Sequence, residues 1–275
     1  MNIYPFIIHV GPLEITGYGI MMMVGFLMGG WLITVELRRR GLYEEFAADI
    51  TVAAVVGGIV GAKLWYWVLS GGDLFSRGGL VWYGGFLGGS LAVMLNGWRL
   101  KVPLRWTLHL TAPALAAAYA LGRIGCFIVN DDYGHPTDLP WGVKFPQGLP
   151  PSTALNMQQQ FGVPVAPGTD PATVLAVHPT QLYEAVLMLG AFALLWRLRT
   201  APRPMGWLFG VYLVLAGIER FVMEIFRAKD DRFFGPLTIA QVVSICLVIV
   251  GTVILTTFRK DDQLPPGPYL EKANA

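Results

Sequence analysis

The sequence predicts an all-α, polytopic membrane protein with about seven transmembrane helices, and three observations lead there. Only 14% of the 275 residues are charged while 54% are hydrophobic, and mean hydropathy is +0.53. A soluble domain carries roughly a quarter charged residues, so a water-facing surface is hard to build from this composition. The charges are clustered and leave long apolar stretches between them. Lys and Arg gather on alternate connections, as the loops of a multi-pass protein do.

The uncharged runs place spans at 15–37, 50–69, 80–98, 108–128, 180–196, 205–226 and 237–258. The segment before them, 1–13, has no Lys or Arg and so lacks the basic start of a secretory signal peptide. Insertion is expected to rest on the spans. Basic residues then orient the bundle. The connections after the first, third and fifth spans, together with the tail, hold 12 of the 20 basic residues. The opposite side holds Arg77, Lys144, Arg227, Lys229 and Arg232. Lys63, Arg123 and Arg220 lie within spans. This bias puts the N-terminus outside and the C-terminus in the cytoplasm.

Between the fourth and fifth spans lies an outer connection, 129–179, with nine of the 19 prolines and several aromatics. That is not linker composition, and a long loop in a compact protein is commonly functional. It is expected to form a small ordered cap over the bundle, making 1–260 one seven-span domain. The tail 261–275 is polar and Pro-rich, and disorder is expected there. Pairs of glycines four apart, Gly25/Gly29, Gly57/Gly61 and Gly84/Gly88, predict close helix packing. Cys126 and Cys246 sit in apolar stretches and read as small buried side chains, not a disulfide framework.

Charge at bilayer depth costs at least ~2.5 kcal/mol, which makes each such residue a functional candidate. Arg123 stands near the outer end of the fourth span, in Gly122-Arg123-Ile124-Gly125. The sixth span carries Glu219, Arg220 and Glu224 and leads to Arg227. Arg220, Glu224 and Arg227 share one helix face. His178, Gln181 and Glu184 recur every three residues at the start of the fifth span. The bland alternative is that Arg220 and Glu224 merely pair within the bundle. Two arginines from different spans at similar depth favour an anionic ligand instead, because a guanidinium matches phosphate oxygens bidentately and stays charged. A phosphate at this depth belongs most naturally to a lipid headgroup. The residues thus support a phospholipid-binding membrane protein without identifying a reaction. There is no metal-ligand cluster of His or Cys, no Walker loop and no Gly-x-Ser-x-Gly elbow. Nothing suggests a nucleic-acid partner.

Several stretches resemble the phosphatidylglycerol–prolipoprotein diacylglyceryl transferase family. They are Gly122-Arg123-Ile124-Gly125-Cys126-Phe127 with Tyr133-Gly134, His178-Pro179-Thr180-Gln181-Leu182-Tyr183-Glu184, and the run from Arg203-Pro204-Met205-Gly206 through Arg220-Phe221 to Phe226-Arg227. Gly11-Pro12, Tyr18-Gly19 and Gly25-Phe26 follow the family's order near the N-terminus. The resemblance implies an enzyme of the bacterial cytoplasmic membrane. Such an enzyme moves the diacylglyceryl group of phosphatidylglycerol onto the lipobox cysteine of a prolipoprotein, releasing glycerol phosphate and needing no cofactor. It assigns headgroup binding to Arg123 and a second essential cation to Arg220. Substrate contacts fall on Tyr18, Asp131, Gly134, His178 and Gln181, with Glu224 and Arg227 in support.

Four positions depart from the family pattern. Tyr83 replaces the histidine of His-Gly-Gly, Cys126 an asparagine, Asp131 a glutamate and Lys63 an arginine. The family histidine has been proposed as the base for the thiol. Tyr83 takes its catalytic position, although with a usual pKa of about 10 it orients better than it deprotonates. A divergent relative with another phospholipid or acceptor, and a non-catalytic phospholipid flippase, are the competing readings. The inner halves of the spans are largely apolar, which disfavours a transport pathway.

Overall fold

A computed structural model describes residues 1–11, 13–71, 81–228, 232–234, 237–258 and 264–272. Pro12, the expected start of the third span at Leu80, Arg77, Lys229, Arg259, Lys260 and the tail positions 261–263 and 273–275 lie outside the described residues. A helix occupies each of the seven expected stretches: α1 (Gly17–Arg39), α2 (Phe46–Ser70), α3 (Trp82–Arg99), α4 (Leu104–Ile128), α6 (Thr180–Leu198), α7 (Trp207–Met223) and α8 (Ile239–Thr257). Two short helices, α5 (Ala154–Gln159) and α9 (Pro268–Glu271), complete the described set.

Five helices, α1, α2, α4, α6 and α8, are long and apolar enough to cross a membrane. The other two fall short for separate reasons. α7 has 17 residues. α3 has 18, and its apolar character is diluted by Gly84, Gly85, Gly88, Gly89, Ser90 and Asn96. The protein is mostly helical, with two short hairpins added. Strands β1 (Ile7–Val10) and β2 (Leu13–Thr16) form an antiparallel hairpin ahead of α1, and β3 (Arg232–Phe234) pairs with β4 (Leu237–Thr238) ahead of α8. Both are short hairpins that span-length windows pass over.

The chain divides into two units. The first comprises Met1–Gly25, Leu115–Thr200 and Gly210–Thr257. Its segment 129–179 is ordered around Tyr133, Val143, Phe145, Met157, Val163 and Val177, which are buried together. Tyr133 stacks on Phe145 and donates its hydroxyl to the carbonyl of Pro150 at 2.6 Å. Thr153 caps α5 by accepting from the backbone N–H of Asn156. Prolines suit this segment because aromatic packing and local caps, not a helix ladder, satisfy it.

The second unit comprises Phe26–Ala114, Ala201–Phe209 and Phe258–Ala275. Here the glycine spacing is realised as backbone contact between α2 and α3. A Cβ on Gly61 would lie 2.3 Å from the Gly84 carbonyl oxygen, and one on Gly88 2.4 Å from that of Gly57. Small residues at this spacing let two helix backbones approach closely, and this approach supplies the packing of α2 on α3. Residues 264–272 of the tail make defined contacts. Leu270 is fully buried, Tyr269 donates to Asp49 at 2.6 Å, and Trp106 donates its indole N–H to the carbonyl of Leu264 at 2.9 Å. Two residues, Tyr269 and Leu270, bury enough apolar surface to dock a segment whose overall composition is polar.

Candidate functional site

The first unit gathers an ion-pair cluster from four places: the end of α4, the turn after it, the start of α6, and the end of α7 with the residues just beyond. Glu184, on the first turns of α6, is the centre. It has no solvent exposure. Its carboxylate contacts the Arg123 guanidinium, lies 3.7 Å from Arg227 and 3.8 Å from Arg220, and accepts from the Tyr119 hydroxyl at 2.9 Å. Arg123 also stands over the Tyr119 ring, 5.3 Å from its centroid. Arg220 donates to Glu224, one helical turn on, at 2.5 Å.

The remaining pairs run through Asp132. Its carboxylate accepts from Arg123 Nη1 at 2.8 Å and from Arg227 Nη2, and so bridges two arginines. Three guanidinium groups therefore meet three carboxylates, Asp132, Glu184 and Glu224. Unpaired, any of these ions would cost several kcal/mol to bury, and the mutual pairing offsets that cost. Burial works to raise the Asp132 carboxyl, but Arg227 and Arg123 outweigh it and hold the group below the usual carboxylate range. Asp131 shifts the other way, pushed up by burial and by the charge of Asp132.

Several buried polar atoms in the cluster have no hydrogen-bond partner: Arg220 Nη1, Arg227 Nε, and Oε1 of Glu184, Glu219 and Glu224. Buried polar groups are usually satisfied, so unspent capacity concentrated in one place is a functional signal.

Around the cluster, main-chain supports are built from residues with sequence-expected roles. Gln181 is fully buried and donates its amide to the carbonyl of Asp131 at 2.5 Å. Thr180 donates to the carbonyl of Asp132 at 2.9 Å. Gly134 receives a close three-way approach: a Cβ there would lie 2.4 Å from the carbonyl oxygen of Phe226, 2.7 Å from Thr180 and 2.9 Å from His178. No other residue fits without displacing backbone. His178 packs its ring on Phe226 and Tyr183, with Nδ1 3.2 Å from the Tyr183 hydroxyl. Tyr18 packs against Gly125, whose Cβ would lie 3.3 Å from the Tyr18 ring.

The structure thus brings together Arg123, Arg220, Glu224, Arg227, Gly134, Gln181 and the Asp131 backbone. Tyr83 lies on α3 in the second unit and is 55% exposed, whereas the cluster is built entirely from the first. Sequence reasoning missed Asp132 and Tyr119 and gave Glu184 no role in the site. The Asp131-Asp132 doublet just beyond the arginine signature was the available signal for Asp132. Tyr119 could have been found four residues before Arg123, on the same helix face. No group of three or more potential metal ligands occurs among the described residues.

Comparison with known proteins gives one consistent result. A family model described as prolipoprotein diacylglyceryl transferase matches residues 5–257. Three relatives carry the name phosphatidylglycerol–prolipoprotein diacylglyceryl transferase. The one from Clostridium tetani is 30% identical over 267 residues, covering 93% of this chain and 99% of the relative. That from Cupriavidus metallidurans is 32% identical over 274 residues, covering 91% and 92%. That from Stenotrophomonas maltophilia is 32% identical over 283 residues, covering 96% and 95%.

Proposed function

The chain belongs to the prolipoprotein diacylglyceryl transferase family, and from that premise we propose that its three-arginine cluster is where the transfer from phosphatidylglycerol takes place. The activity is the first step of lipoprotein maturation: diacylglyceryl transfer from phosphatidylglycerol to a prolipoprotein. The acceptor is the lipobox cysteine, as a thiolate. Its sulfur attacks the glycerol carbon that bears the phosphate ester. The carbon–oxygen bond breaks, a thioether forms, and the electron pair leaves on the phosphate oxygen as glycerol phosphate. One negative charge on sulfur and one on the diester become two on the departing monoester. Charge therefore accumulates on phosphate oxygens, and fixed cations there lower the barrier.

The observation that carries this reading is the convergence of Arg123, Arg220 and Arg227 around Glu184. Arg123 and Arg220 clamp the phosphate, with Arg220 Nη1 holding hydrogen-bonding capacity in reserve. Glu184 and Glu224 keep the clamp in shape without leaving bare cations. Gln181 and Thr180 are positioning residues, since both spend their side chains on the 131–132 main chain. Gly134 allows the backbone approach on which that turn depends. Tyr18 and His178 line the substrate path, and Asp131 contributes a carboxyl beside it. Ionisation of the thiol is helped by the field of the arginines.

All seven long helices cross the bacterial cytoplasmic membrane, with the N-terminus outside and 129–179 as a cap. α3 and α7, at about 27 and 26 Å long, are short for a hydrocarbon core of about 30 Å. Local thinning or flanking residues make up a few ångströms. The direct test is lipidation of a prolipoprotein reporter in cells depleted of their own enzyme, read by mass spectrometry. The thioether product is expected; its absence with inserted, folded protein rejects the activity for this chain.

A further inference from the structure

Arg123, Arg220 and Arg227 are all ion-paired to Asp132, Glu184 and Glu224, and Glu219 adds a further carboxyl to the cluster, so the clamp has no cation left over. A phosphodiester entering it must therefore replace a carboxylate or bring one negative charge too many into a buried site. The three carboxylates are not equally replaceable. The side chains of Glu184 and Glu224 are 0% and 1% exposed, whereas that of Asp132 is 34% exposed. Only Asp132 can be reached by an incoming anion and can leave for solvent.

The local backbone suits such an exchange. Asp132 has φ +63°, a conformation that aspartate tolerates better than most residues. Its carbonyl is tied to Thr180, and its N–H donates to the Asp131 carboxylate at 2.8 Å. With the main chain anchored on both sides, the short side chain can swing away without moving the turn. The carboxylate is a monoanion and so is the phosphodiester of phosphatidylglycerol, which makes the exchange neutral in charge. The geometry is matched too, because both present oxygens to guanidinium forks.

We propose that Asp132 is a built-in competitor for the lipid phosphate at Arg123, holding that guanidinium beside Arg227 until the headgroup displaces it and reclaiming it as glycerol phosphate departs. The proposal rests on the phosphatidylglycerol reading above. Its second half follows from the chemistry. The leaving monoester carries about −1.5 to −2 charge near neutral pH and would cling to bare arginines. A returning carboxylate gives those arginines another partner. Asp132 is thus a positioning and release residue, not a reacting one.

The test uses the full chain in phosphatidylcholine nanodiscs with graded phosphatidylglycerol and a lipobox peptide. Asp132→Asn is expected to lower the KM for phosphatidylglycerol about tenfold and to lower kcat. It should also lower the inhibition constant of added glycerol phosphate by more than it lowers KM. Asp132→Glu should move all three back toward wild type. An unchanged or raised KM in a variant that melts like wild type overturns the proposal. A second measurement needs no variant: carbodiimide labelling of the Asp132 carboxylate in the wild-type chain. Labelling should rise at least twofold when phosphatidylglycerol is added and stay flat in phosphatidylcholine alone. Flat labelling with both lipids overturns displacement even if Asp132→Asn fails to fold. Absent thioether product from the wild-type chain would instead reject the transferase reading, so the two failures are distinguishable.

Discussion

Arg123 on α4 and Arg220 on α7 share one carboxylate: Glu184 contacts the first and lies 3.8 Å from the second. Two cations held this close are costly without an anion between them. A fully buried acid at the start of α6 supplies it. The sharing fixes the spacing of the guanidinium groups and leaves Nη1 of Arg220 without a hydrogen-bond partner.

Arg123→Ala and Arg220→Ala should each reduce diacylglyceryl transfer by roughly 100- to 1,000-fold, the usual loss when one preorganised donor is removed from developing charge. Arg220→Lys should fall between wild type and Arg220→Ala, because lysine keeps the charge but loses the fork. Thioether formation on a lipobox peptide is the measurement. Near-normal rates in Arg123→Ala would remove that residue from the clamp.

Tyr83→Phe should be milder, with kcat lowered less than tenfold and its pH profile unchanged. The substitution removes only a phenol hydroxyl, and one hydrogen bond is worth about 0.5–1.5 kcal/mol. A collapse in rate together with a shifted basic limb would instead make Tyr83 the base.

Glu184→Gln should destabilise the first unit by about 3–5 kcal/mol, since it leaves buried arginines without their shared counter-ion. Thermal melting in detergent or nanodiscs reads this. Melting within a degree of wild type would mean that Asp132 and Glu224 compensate the cluster by themselves.

Stability should fall as pH drops below about 6.5. Burial lowers the pKa of His178, and burial with the charge of His178 lowers that of His135. The unfolded chain then takes up protons before the folded one. The contribution is complete above the unfolded pKa and is lost as pH falls through the lowered values. Melting at pH 7.5 and 5.5 should differ, and the His135→Gln/His178→Gln double variant should narrow the gap.

Gly61→Leu should cost about 3 kcal/mol, near the upper end for overpacking. The atom met at 2.3 Å is the carbonyl oxygen of Gly84, which cannot rotate away as a side chain would. Gly190→Leu is the control, because nothing lies within 4 Å of a Cβ there. Equal melting temperatures for the two variants would show that α2 and α3 do not depend on this approach.

Much of this was legible along the chain. The helices at 17–39, 46–70 and 239–257 follow from long, predominantly apolar runs, because a backbone in lipid must satisfy its own hydrogen bonds and a helix does so locally. The glycine pairs of α2 and α3 announced close helix packing by their spacing, and the fold decided that the two helices pack on each other. Arg123 and Arg220 stood out because charge at that depth needs a reason. These are local or periodic properties, and one dimension records them. Folding alone could decide which aspartate of the 131–132 doublet takes the arginines. The contact of Asp132 with Arg227 joins residues 95 positions apart. Its direction depends on a left-handed turn held by Thr180 and Gln181 from another helix. The same holds for the docking of Tyr269 on Asp49, 220 positions away, by a tail whose composition reads as disordered. Composition and periodicity set which segments are buried in lipid; the pairing of buried charges depends on distances that exist only once the helices have packed.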